Sequence, residues 1–429
     1  MKSNIMSMLL FQFSLLFSQN VNLFTLCEGN FGSANSSLWS SNLNGGSFHT
    51  TIHWDENSNP LGDVGQSLNI YDGRLYIVMN NSHTIEVMNL NEGANYEMTI
   101  DLPNSSPRYI TFNNNKGYIS SWNQNAILVL NLDNMEIIDT VAVDGMPEFM
   151  VTFEDYLYIS LPNNSDWSTN DKVIKMRLSD HEIVETFSVE PGPTMMTLKD
   201  SILYITSSSY DDAWNQYSGT SSINLISGET SMHSAGQTNN YGSDIFTFQN
   251  EIYQVYDGGV VILNNDLTPN ISSKIGNFSS IYSASAHDDF FIFGTSDYVA
   301  PDTVFILNQD GSILDELIVS AIPGSYAVYE FDQTSIDNNS IIPDLVSIQN
   351  YPNPFNPETI IQFNVQKESP YQLYISDISG RMIEEFKIND YTVGLKKIKW
   401  DGSLYSSGIY FAVFKQKGKV EITKLSLLK

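Results

Sequence analysis

The 429-residue chain has one cysteine, Cys27, and only 20 Lys and Arg against 49 Asp and Glu. A single cysteine excludes an internal disulfide, so the fold must rest on its apolar core. The shortage of cationic side chains argues against nucleic acid and anionic membranes as partners, because both require basic footprints. Long apolar runs are missing beyond the N-terminus. The run inside "MKSNIMSMLLFQFSLLFS" follows a Lys and is too short to span a bilayer, which reads as a secretory signal over residues 1–18. No later stretch keeps a helical apolar period, so a helix-based fold is excluded. Proline is sparse until Pro352, Pro354 and Pro357 crowd into "YPNPFNP".

What the chain does have is 23 Tyr and 23 Phe among abundant Ile, Val, Thr and Asn, a composition for strands joined by polar turns. The expected class is all-β. Charge divides the chain in two: residues 1–342 carry 9 Lys and Arg against 40 Asp and Glu, whereas residues 343–429 carry 11 against 9. The acidic part accounts for the whole negative balance, and a solubilising surface explains most of it.

A repeat organises the acidic part. The runs "RLYIV", "KGYIS", "YLYIS", "ILYIT", "EIYQV" and "FFIFG" place Tyr76, Tyr118, Tyr158, Tyr204, Tyr253 and Phe291 at spacings of 42, 40, 46, 49 and 38. A period near 40 with four short strands per unit predicts a β-propeller. The ends supply one more unit: "NLFTLC", "SLWSSNL" and "SFHTTIHW" from the start, and "SYAVYEFDQ" from residue 325. Pairing both ends in one sheet closes the ring and removes exposed strand edges. The expectation is seven blades over residues 19–333, each with four strands, then a polar linker over 334–346. Short alternating strands after it, over 347–429, predict a small immunoglobulin-like β-sandwich, with its prolines on an edge strand.

"NYPNPFNP", "LYISDISGRMI" and the closing "SSGIYFAVFKQKGKVEITKLSLLK" resemble the C-terminal sorting domain of type IX secretion cargo. The resemblance implies that residues 347–429 are recognised by the type IX translocon after signal-peptide export to the periplasm, and that the cargo is secreted or displayed on the outer cell surface. It also implies that Pro352, Asn353, Pro354, Gly380, Gly408 and Tyr410 shape turns and pack strands.

Candidate site residues come from the turns after the Tyr-bearing strands. Trp122, Trp167 and Trp214 fall there, with Asp166, Tyr210, Asp211, Asp212, Tyr217 and Tyr298. Aromatics interleaved with carboxylates suit a large, partly polar ligand, and the alternative is that they cap the sheet ends. Enzyme signatures are scarce. The six histidines show no metal-ligand spacing; His49 and His53 share a strand face at most. No nucleophile elbow, phosphate loop or cofactor motif is found, so no catalytic residue, metal or cofactor is assigned. "LCEGNFGSANSSLW" and "PLGDVGQSLNIYDGRLYIVMNNSHTIEVMNL" resemble exported bacterial propellers of the YVTN/DUF5074 kind. Some of these capture cobalamin at the cell surface, so the resemblance implies a binding protein for a small ligand, a glycan or another protein. A lactonase-like or quinoprotein-like enzyme is the alternative.

Overall fold

The computed structural model describes residues 20–43, 48–52, 61–91, 94–331, 348–365, 370–378, 380–387, 392, 394–416 and 419–429. The expected signal segment and linker lie outside them, as do His53 and the side chain of His49. Every long element is a strand, since each Tyr-bearing run alternates apolar side chains between neighbouring sheets.

Residues 20–331 form seven antiparallel sheets, numbered I to VII here. Sheet I joins Pro323–Phe331 to Asn20–Cys27, Ser37–Asn42 and Phe48–Ile52, with Phe24 opposite Ala327 on one side and Ser40 on the other. Sheets II, III, IV, V, VI and VII begin with Gly65–Tyr71, Pro107–Asn113, Met150–Phe153, Pro193–Lys199, Tyr241–Phe248 and Ser283–His287. The first strand of each sheet touches the first strand of the next, and that of VII touches that of I, so these strands line a central channel. Phe24, Tyr76, Tyr118, Tyr158, Tyr204, Tyr253 and Phe291 all sit on second strands, most of them sealed from solvent.

Apolar side chains from neighbouring sheets interlock between layers. Ile77, Leu75 and Met88 of sheet II meet Phe24 and Leu38 of sheet I, and Val87 and Tyr76 on the other face meet Ile119 and Leu128 of sheet III. Burying such side chains contributes about 1.5–3 kcal/mol each, which replaces the missing disulfides. Between V and VI the contacts are polar instead: Thr220 Oγ1 donates to Gln254 Oε1 at 2.9 Å and Thr206 Oγ1 to the Ser243 carbonyl at 2.6 Å.

Sheet VI departs from the expected four strands. After Gly259–Ile262 the chain "TPNISSKIG" forms a 3₁₀ turn at Ile271–Ser273, capped by Asn270, and meets the preceding chain only as isolated bridges, Pro269 with Leu263 and Ile275 with Val260. Pro269 has no ladder donor, and the Asn270 cap offers a local alternative to the strand.

The C-terminal segment folds as two facing sheets, Ile348–Tyr351 with Glu358–Val365 and Gly394–Asp401, and Met382–Phe386 with Tyr371–Asp377, Gly408–Gln416 and Lys419–Leu427. Phe363, Trp400 and Phe414 fill the space between them. Asn353 holds the proline-rich entry to the last strand: its Nδ2 donates to the Lys424 carbonyl at 2.6 Å and its Oδ1 accepts from Ser426 N–H at 2.8 Å. Gly380 takes φ +80° in the turn from Asp377, and the Tyr410 hydroxyl donates to the Ser406 carbonyl at 2.8 Å.

Candidate functional site

In an antiparallel sheet the start of the first strand and the end of the second lie at the same end. One mouth of the channel is therefore ringed by first-strand starts and overhung by the turns that follow the second strands. Trp122, Trp167, Trp214 and Tyr298 are all on those turns, whereas Tyr210 ends the second strand of sheet V and Tyr217 lies just inside its third. Trp167, Trp214 and Tyr298 are 63%, 82% and 61% exposed. All three adopt left-handed backbone, at φ +68°, +62° and +68°. A bulky residue held there costs on the order of 1–2 kcal/mol against glycine, so these turns display rings to solvent at the expense of stability.

At the mouth itself Arg108, near the start of the first strand of sheet III, makes two parallel bonds to Glu148, just before the first strand of sheet IV. The distances are 2.9 Å from Nε and 2.7 Å from Nη2. Nη1 donates to Gln66 Oε1 from sheet II. Burial works against the Arg108 charge, but the field and hydrogen bonds of Glu148 outweigh it and hold its pKa above the ordinary value. The guanidinium also lies over the Trp122 ring, 4.0 Å from its centroid, and Trp167 meets Trp122 edge-on at 5.6 Å.

The other side of the mouth holds carboxylates without a cation of their own. Glu28, at the end of the second strand of sheet I, accepts from the Tyr282 hydroxyl at 2.6 Å, and Tyr282 packs edge-on against Tyr298 at 5.9 Å. Burial raises the Glu28 pKa, opposed by the Tyr282 bond and the Arg108 field. Asp244 of sheet VI accepts from the Ala284 N–H at 2.6 Å, its one hydrogen bond among the described residues, and burial pushes its pKa up to about 7. A side chain at position 324 would collide with Glu28 Oε1, which is why glycine stands there.

The remaining candidates form a separate group. Tyr210 and Trp214 lie 6.2 Å apart, Asp211 holds its own turn through Asn215 and accepts from Tyr217 at 3.4 Å, Asp212 is exposed, and Asp166 closes its turn on Ser168. Arg108, Glu148, Glu28, Asp244 and Tyr282 were not singled out in the sequence. Each lies in a different sheet, and only the ring arrangement gathers all five; Arg108, Glu148, Glu28 and Tyr282 share a position next to a first- or second-strand end, whereas Asp244 lies inside Tyr241–Phe248.

The family model "Domain of unknown function (DUF5074)" matches residues 22–278, and "Secretion system C-terminal sorting domain" matches residues 349–427. No curated protein matches the chain. Among solved structures, a 6-phosphogluconolactonase-like protein from Bacteroides uniformis is 12% identical and superimposes with a TM-score of 0.54 over 73% of this chain and all of the other. Another from Bacteroides fragilis is 13% identical, with a TM-score of 0.53 over 74% of this chain and 99% of the other. Both are β-propellers, and at such identities the likeness extends to the fold alone. The sorting domain assigns the protein to type IX secretion, to the cell surface or the extracellular space.

Proposed function

This chain belongs to the DUF5074 family and carries a type IX sorting domain, and we propose that it is an extracellular binding propeller whose ligand enters the Arg108 mouth of the channel. Residues 1–18 serve as the signal peptide, 19–333 as the exported binding body and 347–429 as the address read by the translocon. The observation that carries the reading is the convergence of two aromatic arms: Trp167 and Trp122 lead onto Arg108, while Tyr298 and Tyr282 lead onto Glu28. Arg108 and Glu28 lie close enough to act on one another's charge. Aromatic walls around a few fixed polar groups suit a small, partly polar ligand such as a corrinoid or a short oligosaccharide. Tyr210, Trp214 and Tyr217 form an outlying contact for larger ligands.

The test is a thermal-shift panel on the full chain with corrinoids, haem and oligosaccharides. A ligand that binds only the folded state raises Tm with concentration over Kd. One class is expected to shift Tm, and Trp167→Ala with Tyr298→Ala is expected to abolish the shift while leaving the ligand-free Tm nearly unchanged. A shift that survives both substitutions would place the ligand elsewhere, and a flat panel would point to a protein partner.

A further inference from the structure

At the other end of the channel three potential ligand atoms meet between the first strands of sheets VII and I. His287 ends the first strand of sheet VII, Asp288 follows it in the turn, and Glu330 lies next to the end of the first strand of sheet I. One ring nitrogen of His287 and one carboxylate oxygen from each of the others all lie within 4.8 Å of one another, the one such grouping among the described residues. His287 Nε2 is itself shut off from solvent and has no hydrogen-bond partner; Asp288 Oδ2 stands 3.4 Å away without making one. The Phe290 ring, 5.8 Å from the imidazole, holds it from the side. Asp288 occupies left-handed backbone at φ +47°, which turns it back beside the histidine, while Asp289 is engaged by Gln309 at 3.0 Å.

A sealed, unpartnered imidazole nitrogen beside two carboxylates lacks a positive centre. We propose that His287, Asp288 and Glu330 bind a divalent transition metal of the zinc class. A mixed nitrogen and oxygen set favours such an ion over calcium or magnesium, which take oxygen alone. Modest closure of the two exposed carboxylates brings all three donors to bonding distance of about 2.0–2.2 Å, with the remaining position left to water. The bound ion links sheet VII to sheet I, the sheet built from both ends of the propeller, and so acts where a disulfide would in a cysteine-rich secreted protein. Binding to the folded state alone raises Tm in proportion to the logarithm of free metal.

The experiment is calorimetric titration of ZnCl₂ into the full chain after chelation and removal of the chelator, with Tm measured alongside. One equivalent is expected to bind saturably and raise Tm, and Glu330→Gln and His287→Gln are each expected to weaken binding by at least about tenfold. His181→Gln, which alters the other histidine among the described residues with a buried, unpartnered Nε2, one that pairs through Nδ1 with Asp139 at 2.6 Å, is expected to leave it unchanged. Absence of saturable heat, or an unchanged Kd in Glu330→Gln, overturns the proposal. Glu330 is exposed, so that variant stays informative if His287→Gln fails to fold.

Discussion

The two sides of the channel mouth treat a buried carboxylate differently. On the side of sheets II to IV, Glu148 is matched by a bidentate guanidinium that is itself stacked on Trp122, so the charge is neutralised where it stands. On the side of sheets VI, VII and I, Asp244 and Glu28 are half-buried, yet their hydrogen bonds come from an amide and a phenol, and desolvation raises their pKa values. The lesson is that a neutral donor satisfies geometry without repaying desolvation, whereas an ion pair does both. The first side is built to be rigid, and the second is left short of positive charge.

The largest effect should follow from breaking the matched side. Glu148→Ala strands Arg108 in the channel wall, and a loss of about 3–5 kcal/mol is expected in urea unfolding. A loss under about 1 kcal/mol would show that water already screens the pair. Next comes Tyr282→Phe, which removes the Glu28 hydrogen bond at a cost of about 1.5–3 kcal/mol, and which should raise the Glu28 pKa further, as a carboxyl-resolved NMR titration can read.

Asp244 supplies a pH test with a definite sign. Its folded pKa, about 7, exceeds the ordinary carboxyl value near 4, so the folded state holds the proton more tightly. Its contribution is fully present below pH about 4 and is lost as pH rises through about 7. Asp244→Asn should therefore stabilise the protein by on the order of 1–2 kcal/mol at pH 8 and do nothing at pH 4. Equal Tm gains at both pH values would refute the assignment. The smallest change is expected at the rim, where Trp167→Gly relieves left-handed strain of about 1 kcal/mol and forfeits an edge contact of similar size. Net stability should stay within about 0.5 kcal/mol of the parent, with ligand response gone.

Much of the fold was legible because it is periodic. A Tyr or Phe every 40 or so residues marks the same, mostly buried, position on each second strand, and the leftover strands at the two ends declare the shared sheet I. Sheet VI lacks the fourth strand that the repeat led one to expect, because Pro269 and the Asn270 cap interrupt the ladder there. At the site, Trp122, Trp167 and Tyr298 could be found from turn position. Arg108, Glu148 and Glu28 could not, since a charged residue beside a strand end ordinarily points to water.

By itself the sequence determined the strand class, the repeat, the acidic body and the separate C-terminal domain, because each follows from local pattern and composition. Only the tertiary structure decided which charges face one another. Residues as far apart as Glu28 and Tyr282 become neighbours through the closing of the ring, and no local pattern encodes that distance; His287 and Glu330, one repeat apart, meet because the first strands of sheets VII and I pack side by side.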